Sequence, residues 1–253
     1  MPGFWDAHGA RAVVDWCEPN YVVSPYIAEF WNTLSSVAIF LVGAYGVWRW
    51  ARSRGDLEPR FGAGFLWLAA VGLGSTLFHG TLLRLPQAAD ELPMIWLSLV
   101  CFYCLVTRRP DTPEATRQRW VAGLTAYALV FSVAYFAIKA YFVFFLLSYG
   151  LVVGYVCIAT WRLAFRESRH PMLKRLFWWS VVAYIGGFSL FWIPERTLGC
   201  AHAFQSIQPH AWFHLSGAIG PYAWVLFAAF DRLERLQRSP VVVRDPIPFV
   251  APG

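Results

Sequence analysis

The sequence predicts an all-α polytopic membrane protein, a seven-transmembrane helix bundle with a non-cytoplasmic amino terminus and a cytoplasmic carboxyl terminus. Three observations predict it: charge is scarce, apolar runs of bilayer length recur along the chain, and lysine and arginine gather on alternate connections. Of the 253 residues, 58% are hydrophobic, 18% aromatic and 14% charged, against roughly 25% charged in an ordinary soluble domain. So few charges cannot cover a water-facing surface, so the surface must face lipid.

A hydrocarbon core about 30 Å thick needs around 20 mostly apolar residues per helix. Such runs occupy Phe30–Val47, Phe61–Leu83, Leu92–Val106, Trp120–Ile138, Tyr141–Leu163, Leu176–Ile193 and Ala211–Phe230. Backbone amides in hydrocarbon need internal partners, which leaves helices or a closed barrel. Val121–Ile138 and Phe142–Ala159 are apolar on all sides, whereas a barrel strand alternates with period two over about 10 residues. The runs are therefore helices.

Orientation follows from the cations between them. After the first run come Arg49, Arg52, Arg54 and Arg60; after the third, Arg108, Arg109, Arg117 and Arg119. Arg162, Arg166, Arg169, Lys174 and Arg175 follow the fifth, and Arg232, Arg235, Arg238 and Arg244 the seventh. The opposite side holds Arg11, Arg84, Lys139 and Arg196. The net charge of +6 is thus divided among separate loops, which suits an anionic leaflet and argues against nucleic acid as a partner.

The opening residues, with Asp6, His8, Arg11, Asp15 and Glu18, do not read as a cleavable leader, so the first span is expected to insert by itself. No repeat divides the chain. Residues 1–238 read as one membrane domain, with a candidate calcium-binding segment at 13–32. Residues 239–253, with four prolines and little to bury, are expected to be a disordered cytoplasmic tail.

Ionisable groups inside apolar spans are costly and usually functional. His79 ends the second run, while His210 and His214 open the seventh, on the same predicted side of the bilayer. The i, i+4 spacing of His210 and His214 sets both imidazoles on one helix face, and a third histidine leaves a tetrahedral zinc with an open position, as in catalytic sites. The same residues would also serve as interhelical hydrogen-bonding or capping histidines. Ser75 lies one turn from His79 on the same face, and Asp90 starts the third run. They suit an oxyanion donor and a proton acceptor respectively, although Asp90 also fits a partner for a histidine N–H, and Glu91 a helix cap.

A second constellation is Asp15-Trp16-Cys17-Glu18-Pro19-Asn20, with Glu29 and Asn32 at the mouth of the first span. Its carboxylates, amide and carbonyls suit calcium, without the spacing of an EF-hand, and suit equally an ordinary helix-capping turn. Cys17 and Cys200 both fall on the predicted oxidising side and are expected to form a disulfide. Cys101 and Cys104 form a CxxC inside an apolar helix, where packing is the expected role.

At these residues the sequence resembles the alkaline ceramidases, within the superfamily of seven-span hydrolases that includes the adiponectin receptors. The resemblance rests on Val14–Tyr21 with Ser24–Thr33, on Gly74-Ser75-Thr76-Leu77-Phe78-His79, on Asp90-Glu91-Leu92-Pro93-Met94, and on His210-Ala211-Trp212-Phe213-His214, in that order. It implies a catalytic zinc on His79, His210 and His214, with Ser75 and Asp90 serving the reaction. It likewise implies structural or regulatory calcium held by Asp15, the Trp16 carbonyl, Glu18, Asn20 and Glu29, and a disulfide joining Cys17 to Cys200. The implied activity is hydrolysis of the N-acyl bond of ceramide or a dihydro- or phytoceramide, a membrane lipid. A lipid receptor of the same superfamily is the rival expectation, and a proton or ion transporter using the histidines as a relay is another. An endomembrane (ER or Golgi) or the plasma membrane would suit it. Nothing legible sets the oligomeric state.

Overall fold

The computed structural model describes residues 3–53, 55–168, 170–200, 202–244 and 246–253. Arg54 and Arg169, counted above among the cations, lie outside the described residues. The helices are α1 (Phe30–Arg52), α2 (Pro59–Thr81), α3 (Arg84–Val106), α4 (Glu114–Ala137), α5 (Tyr141–Arg162), α6 (Pro171–Gly187), α7 (Ile193–Leu198), α8 (His202–Ile207) and α9 (Pro209–Arg235). Wide five-residue turns at Leu163–Glu167 and Phe188–Trp192 extend α5 and join α6 to α7. Among the described residues, seven helical segments are long and apolar enough to cross a membrane, so the expected all-α, multi-pass protein is borne out.

Local chemistry sets where the helices begin and end. Proline opens α2, α6 and α9, at the position where its missing N–H costs nothing and its fixed φ is already helical. Arg49 and Arg52 close α1, and Arg232 and Arg235 close α9, each against the negative end of the helix dipole. α2 stops where Leu82 turns left-handed (φ 52°) and accepts a hydrogen bond from Ala12 N–H.

The third helix corrects the sequence boundary. It starts at Arg84 instead of Leu92, so Asp90 lies inside α3 and does not open it. Glu91 is not a cap: it is buried within α3 and accepts a 2.7 Å hydrogen bond from Gln87 one turn earlier. The segment is polar by hydropathy yet made of good helix formers, Gln87, Ala88, Ala89 and Glu91.

The chain forms two compact units. The first comprises Met1–Tyr45, Trp67–Pro93 and Trp179–Tyr222. Here α1, α2 and α3 touch backbone to backbone at glycines: a Cβ on Gly72 would fall 2.1 Å from Phe40 N, and one on Gly43 2.3 Å from Ala69 N. Small residues of this kind let membrane helices approach closely. The amino-terminal segment docks in the same unit, where Arg11 bridges to Leu83 and Cys17 is joined to Cys200.

The second unit comprises Gly46–Leu66, Met94–Trp178 and Ala223–Gly253. Arg60 reaches Thr107, Arg232 reaches Glu58 at 2.5 Å, and Trp224 donates to Thr160 at 2.9 Å. Cys101 and Cys104 are free and buried here, as packing residues would be. The expected disordered tail is instead an antiparallel hairpin of β1 (Pro240–Arg244) and β2 (Pro248–Pro252). Pro240, Pro248 and Pro252 occupy strand ends, where they disturb no ladder; Phe249 and Val250 are buried, Phe249 against Phe65 and Arg49.

Candidate metal centre

His79 ends α2, and His210 and His214 occupy the first two turns of α9. Gln208, held left-handed (φ 54°), swings the chain from α8 into α9 and accepts from Ala211 N–H, which sets the start of that helix. All three histidines are buried, and one ligand atom from each lies within 4.8 Å of the others. Ring centroids are 5.1 Å apart for His79 and His210, 4.8 Å for His79 and His214, and 4.5 Å for His210 and His214.

The other ring edges are held from behind. His79 Nδ1 is hydrogen-bonded to the buried Glu29 carboxylate. His79 Nε2 is buried and has no partner among the described residues. His214 Nδ1 meets Ser35 Oγ at 2.9 Å and Ser36 Oγ at 3.2 Å. His210 stacks on the Trp16 indole at 3.6 Å between centroids, and its Nδ1 lies 3.4 Å from Glu195 Oε2. A buried nitrogen with no partner is a lost hydrogen bond unless something absent from the chain occupies it. Three converging imidazoles, two of them with Nδ1 hydrogen-bonded and the third stacked on Trp16, are a donor set that fits zinc.

Ser75 is buried one turn along α2 from His79, and its Oγ is 2.9 Å from Ser36 Oγ. The carboxyl of Asp90, which is partly exposed, lies beside it. Gly74 makes this pairing possible, because the α3 backbone at Ala89 and Asp90 lies directly against it. Asp90, Ser75, Ser36 and His214 thus form a continuous polar chain beside the histidines, able to hold and move a proton.

The amino-terminal carboxylates are less convergent. Glu18 accepts from Trp31 N–H at 2.7 Å and Asn32 N–H at 2.9 Å, capping α1 as an ordinary helix-capping turn does. Glu29 accepts from Trp16 N–H at 2.9 Å and from the Asn32 amide at 3.1 Å, besides holding His79. Asn20 donates to both oxygens of the exposed Asp15 carboxylate at 3.1 Å, and its own Oδ1 is buried without a partner. Partial loss of water at Asp15 and burial at Glu18, each reinforced by the neighbouring Glu29, raise both carboxyls above the ordinary range. Crowded carboxylates beside an unused amide oxygen are a donor set that fits a hard cation.

Sequence reasoning missed Ser35, Ser36 and Glu195, and took Glu29 for a calcium ligand without its bond to His79. Ser35 and Ser36 do lie three and four residues along α1 from Asn32, a helical spacing that could have drawn them in. Glu195 sits in what reads as a connection, and no spacing marks it.

Together these features define a class, multi-pass helical membrane proteins with a buried histidine site at one end of the helices. Within it, the chain belongs to the ceramidase family, whose family model matches residues 9–245; the protein is therefore an enzyme. It is 31% identical to alkaline ceramidase 3 of Mus musculus, covering 95% of this chain and 90% of the relative. It is 28% identical to alkaline ceramidase YPC1 of Saccharomyces cerevisiae (89% and 78%) and 27% identical to an alkaline ceramidase of Arabidopsis thaliana (96% and 91%). The resemblance read from the motifs is borne out at the level of the family.

Proposed function

We propose that the protein is a zinc-dependent intramembrane amidase that hydrolyses the N-acyl bond of ceramide, releasing a sphingoid base and a fatty acid. The observation that carries the reading is the convergence of three buried histidines beside the Ser75–Asp90 pair, in a chain whose relatives are named alkaline ceramidases.

His79, His210 and His214 would hold the zinc. When bound, the ion supplies Lewis acidity to the amide carbonyl and to the attacking water. Asp90 accepts the proton of that water and returns it to the leaving nitrogen. Ser75 donates its hydroxyl to the developing oxyanion, and Ser36 fixes the Ser75 oxygen. Glu29 and the Ser35 and Ser36 hydroxyls orient His79 and His214. Asp15, the Trp16 carbonyl, Glu18, Asn20 and Glu29 would hold calcium, which relieves the crowding of their carboxylates. The Cys17–Cys200 bond supports a reading in which this face of the protein, and the amino terminus with it, lies on the oxidising side of its membrane. No observation favours a receptor over an enzyme.

The test is zinc content and fatty-acid release from ceramide in detergent micelles, wild type beside His214→Ala. One zinc per chain with turnover, both lost in the variant, is expected. Turnover that survives the substitution undiminished would refute the mechanism.

A further inference from the structure

We propose that Glu195 is a positioning residue for His210, doing for that imidazole what Glu29 does for His79. The inference rests on the zinc reading above and deepens it.

Glu195 lies in α7, buried to 3% exposure. A buried carboxylate is costly unless its oxygens are used. One is used: Oε1 accepts the Cys17 N–H at 2.9 Å. The second, Oε2, has no hydrogen-bond partner among the described residues, and neither does His210 Nδ1, 3.4 Å away. The two atoms are therefore each other's unfilled valence, a shift of a few tenths of an ångström from a hydrogen bond. An imidazole that donates its Nδ1–H to a carboxylate keeps its Nε2 lone pair for a metal and is held in one orientation. Trp16, stacked on the ring, sets its plane, and Glu195 sets its rotation and tautomer.

This accounts for all three histidines in one pattern. His79 has Glu29, His214 has the paired hydroxyls of Ser35 and Ser36, and His210 has Glu195. It also gives the Cys17–Cys200 bond a chemical meaning, since the disulfide pins the amide that orients the Glu195 carboxylate.

The two roles of Glu195 separate in Glu195→Gln. The amide oxygen still accepts from Cys17 N–H, while its NH2 now confronts His210 Nδ1 and favours the tautomer whose Nε2 carries a hydrogen. Purified full-length protein is titrated with zinc against a chelator, with free thiols counted to show that the disulfide is intact. The expected result is a zinc affinity 10–100-fold weaker in Glu195→Gln, of the size typical when a ligand's carboxylate partner is removed, with the disulfide retained and Glu195→Asp partly restored. Zinc affinity unchanged in both Glu195→Gln and Glu195→Ala would overturn the proposal while leaving the metal reading standing. Wild-type protein whose zinc is not lost in His214→Ala would overturn both.

Discussion

Replacing Gly74 by alanine adds one methyl group at the place where α2 and α3 meet. That carbon would fall 1.9 Å from Ala89 O, 2.3 Å from Ala89 C and 2.6 Å from Asp90 N, all backbone atoms that cannot rotate aside. Ordinary contact needs about 3.5 Å, so α3 must retreat by about 1.5 Å at this level. Such overpacking costs about 1–3 kcal/mol of stability. The larger effect is on the reaction, because the retreat draws Asp90 away from Ser75. A misplacement of about 1 Å at a reacting group can cost roughly 100-fold in rate. His79, His210 and His214 lie on α2 and α9, so zinc content should hold at the wild-type value. The assay is fatty-acid release from ceramide in micelles, on protein that elutes as a single folded species with its zinc measured. A kcat within threefold of wild type would show that the Ser75–Asp90 contact is not what Gly74 protects, and would remove Asp90 from the mechanism.

Ser36→Ala cuts the polar chain at its middle while Ser35 still holds His214 Nδ1; kcat is expected to fall about 10-fold with zinc retained, and unchanged kinetics would place Ser36 outside the reaction. The raised carboxyls of Asp15 and Glu18 bind protons more tightly folded than unfolded, so their share of stability is present at low pH and lost as pH rises through the raised values. Calcium binds the charged form and offsets that loss, so its gain in Tm over EGTA should be larger at about pH 8 than at about pH 5; an equal gain at both would count against these carboxylates as ligands. Deleting the chain after Arg238 removes the buried Phe249 and Val250, worth about 1.5–3 kcal/mol each, and should lower Tm by roughly 6–24 °C. A Tm that does not move would mean the hairpin contributes nothing to its unit.

The transmembrane architecture was legible because a bilayer demands long, uniformly apolar runs, and the histidines because helical spacing and alternating topology force His79 toward His210 and His214. Helix ends were less legible. Arg84–Glu91 carries polarity that hydropathy rejects, yet Gln87 and Glu91 satisfy each other one turn apart, so the helix can begin there. The tail was misread because its prolines suggested disorder, although Val241-Val242-Val243 and Phe249-Val250 are strand formers with their prolines at strand ends. Glu195 stayed hidden for another reason: it faces a histidine remote in sequence, and a lone carboxylate in what reads as a connection carries no period to reveal it.

The bond between Cys17 and Cys200 joins residues 183 positions apart. A ribosome releases the first of these long before the second, and both α9 histidines later still. The amino-terminal segment must therefore wait, unattached, while six spans are laid into the membrane. A chain that stalls or is cut short before Cys200 has neither the tie nor two of its three imidazoles, so on the proposed mechanism such incomplete copies leave the lipids around them intact. On that mechanism, hydrolysis waits for the last transmembrane span to be made.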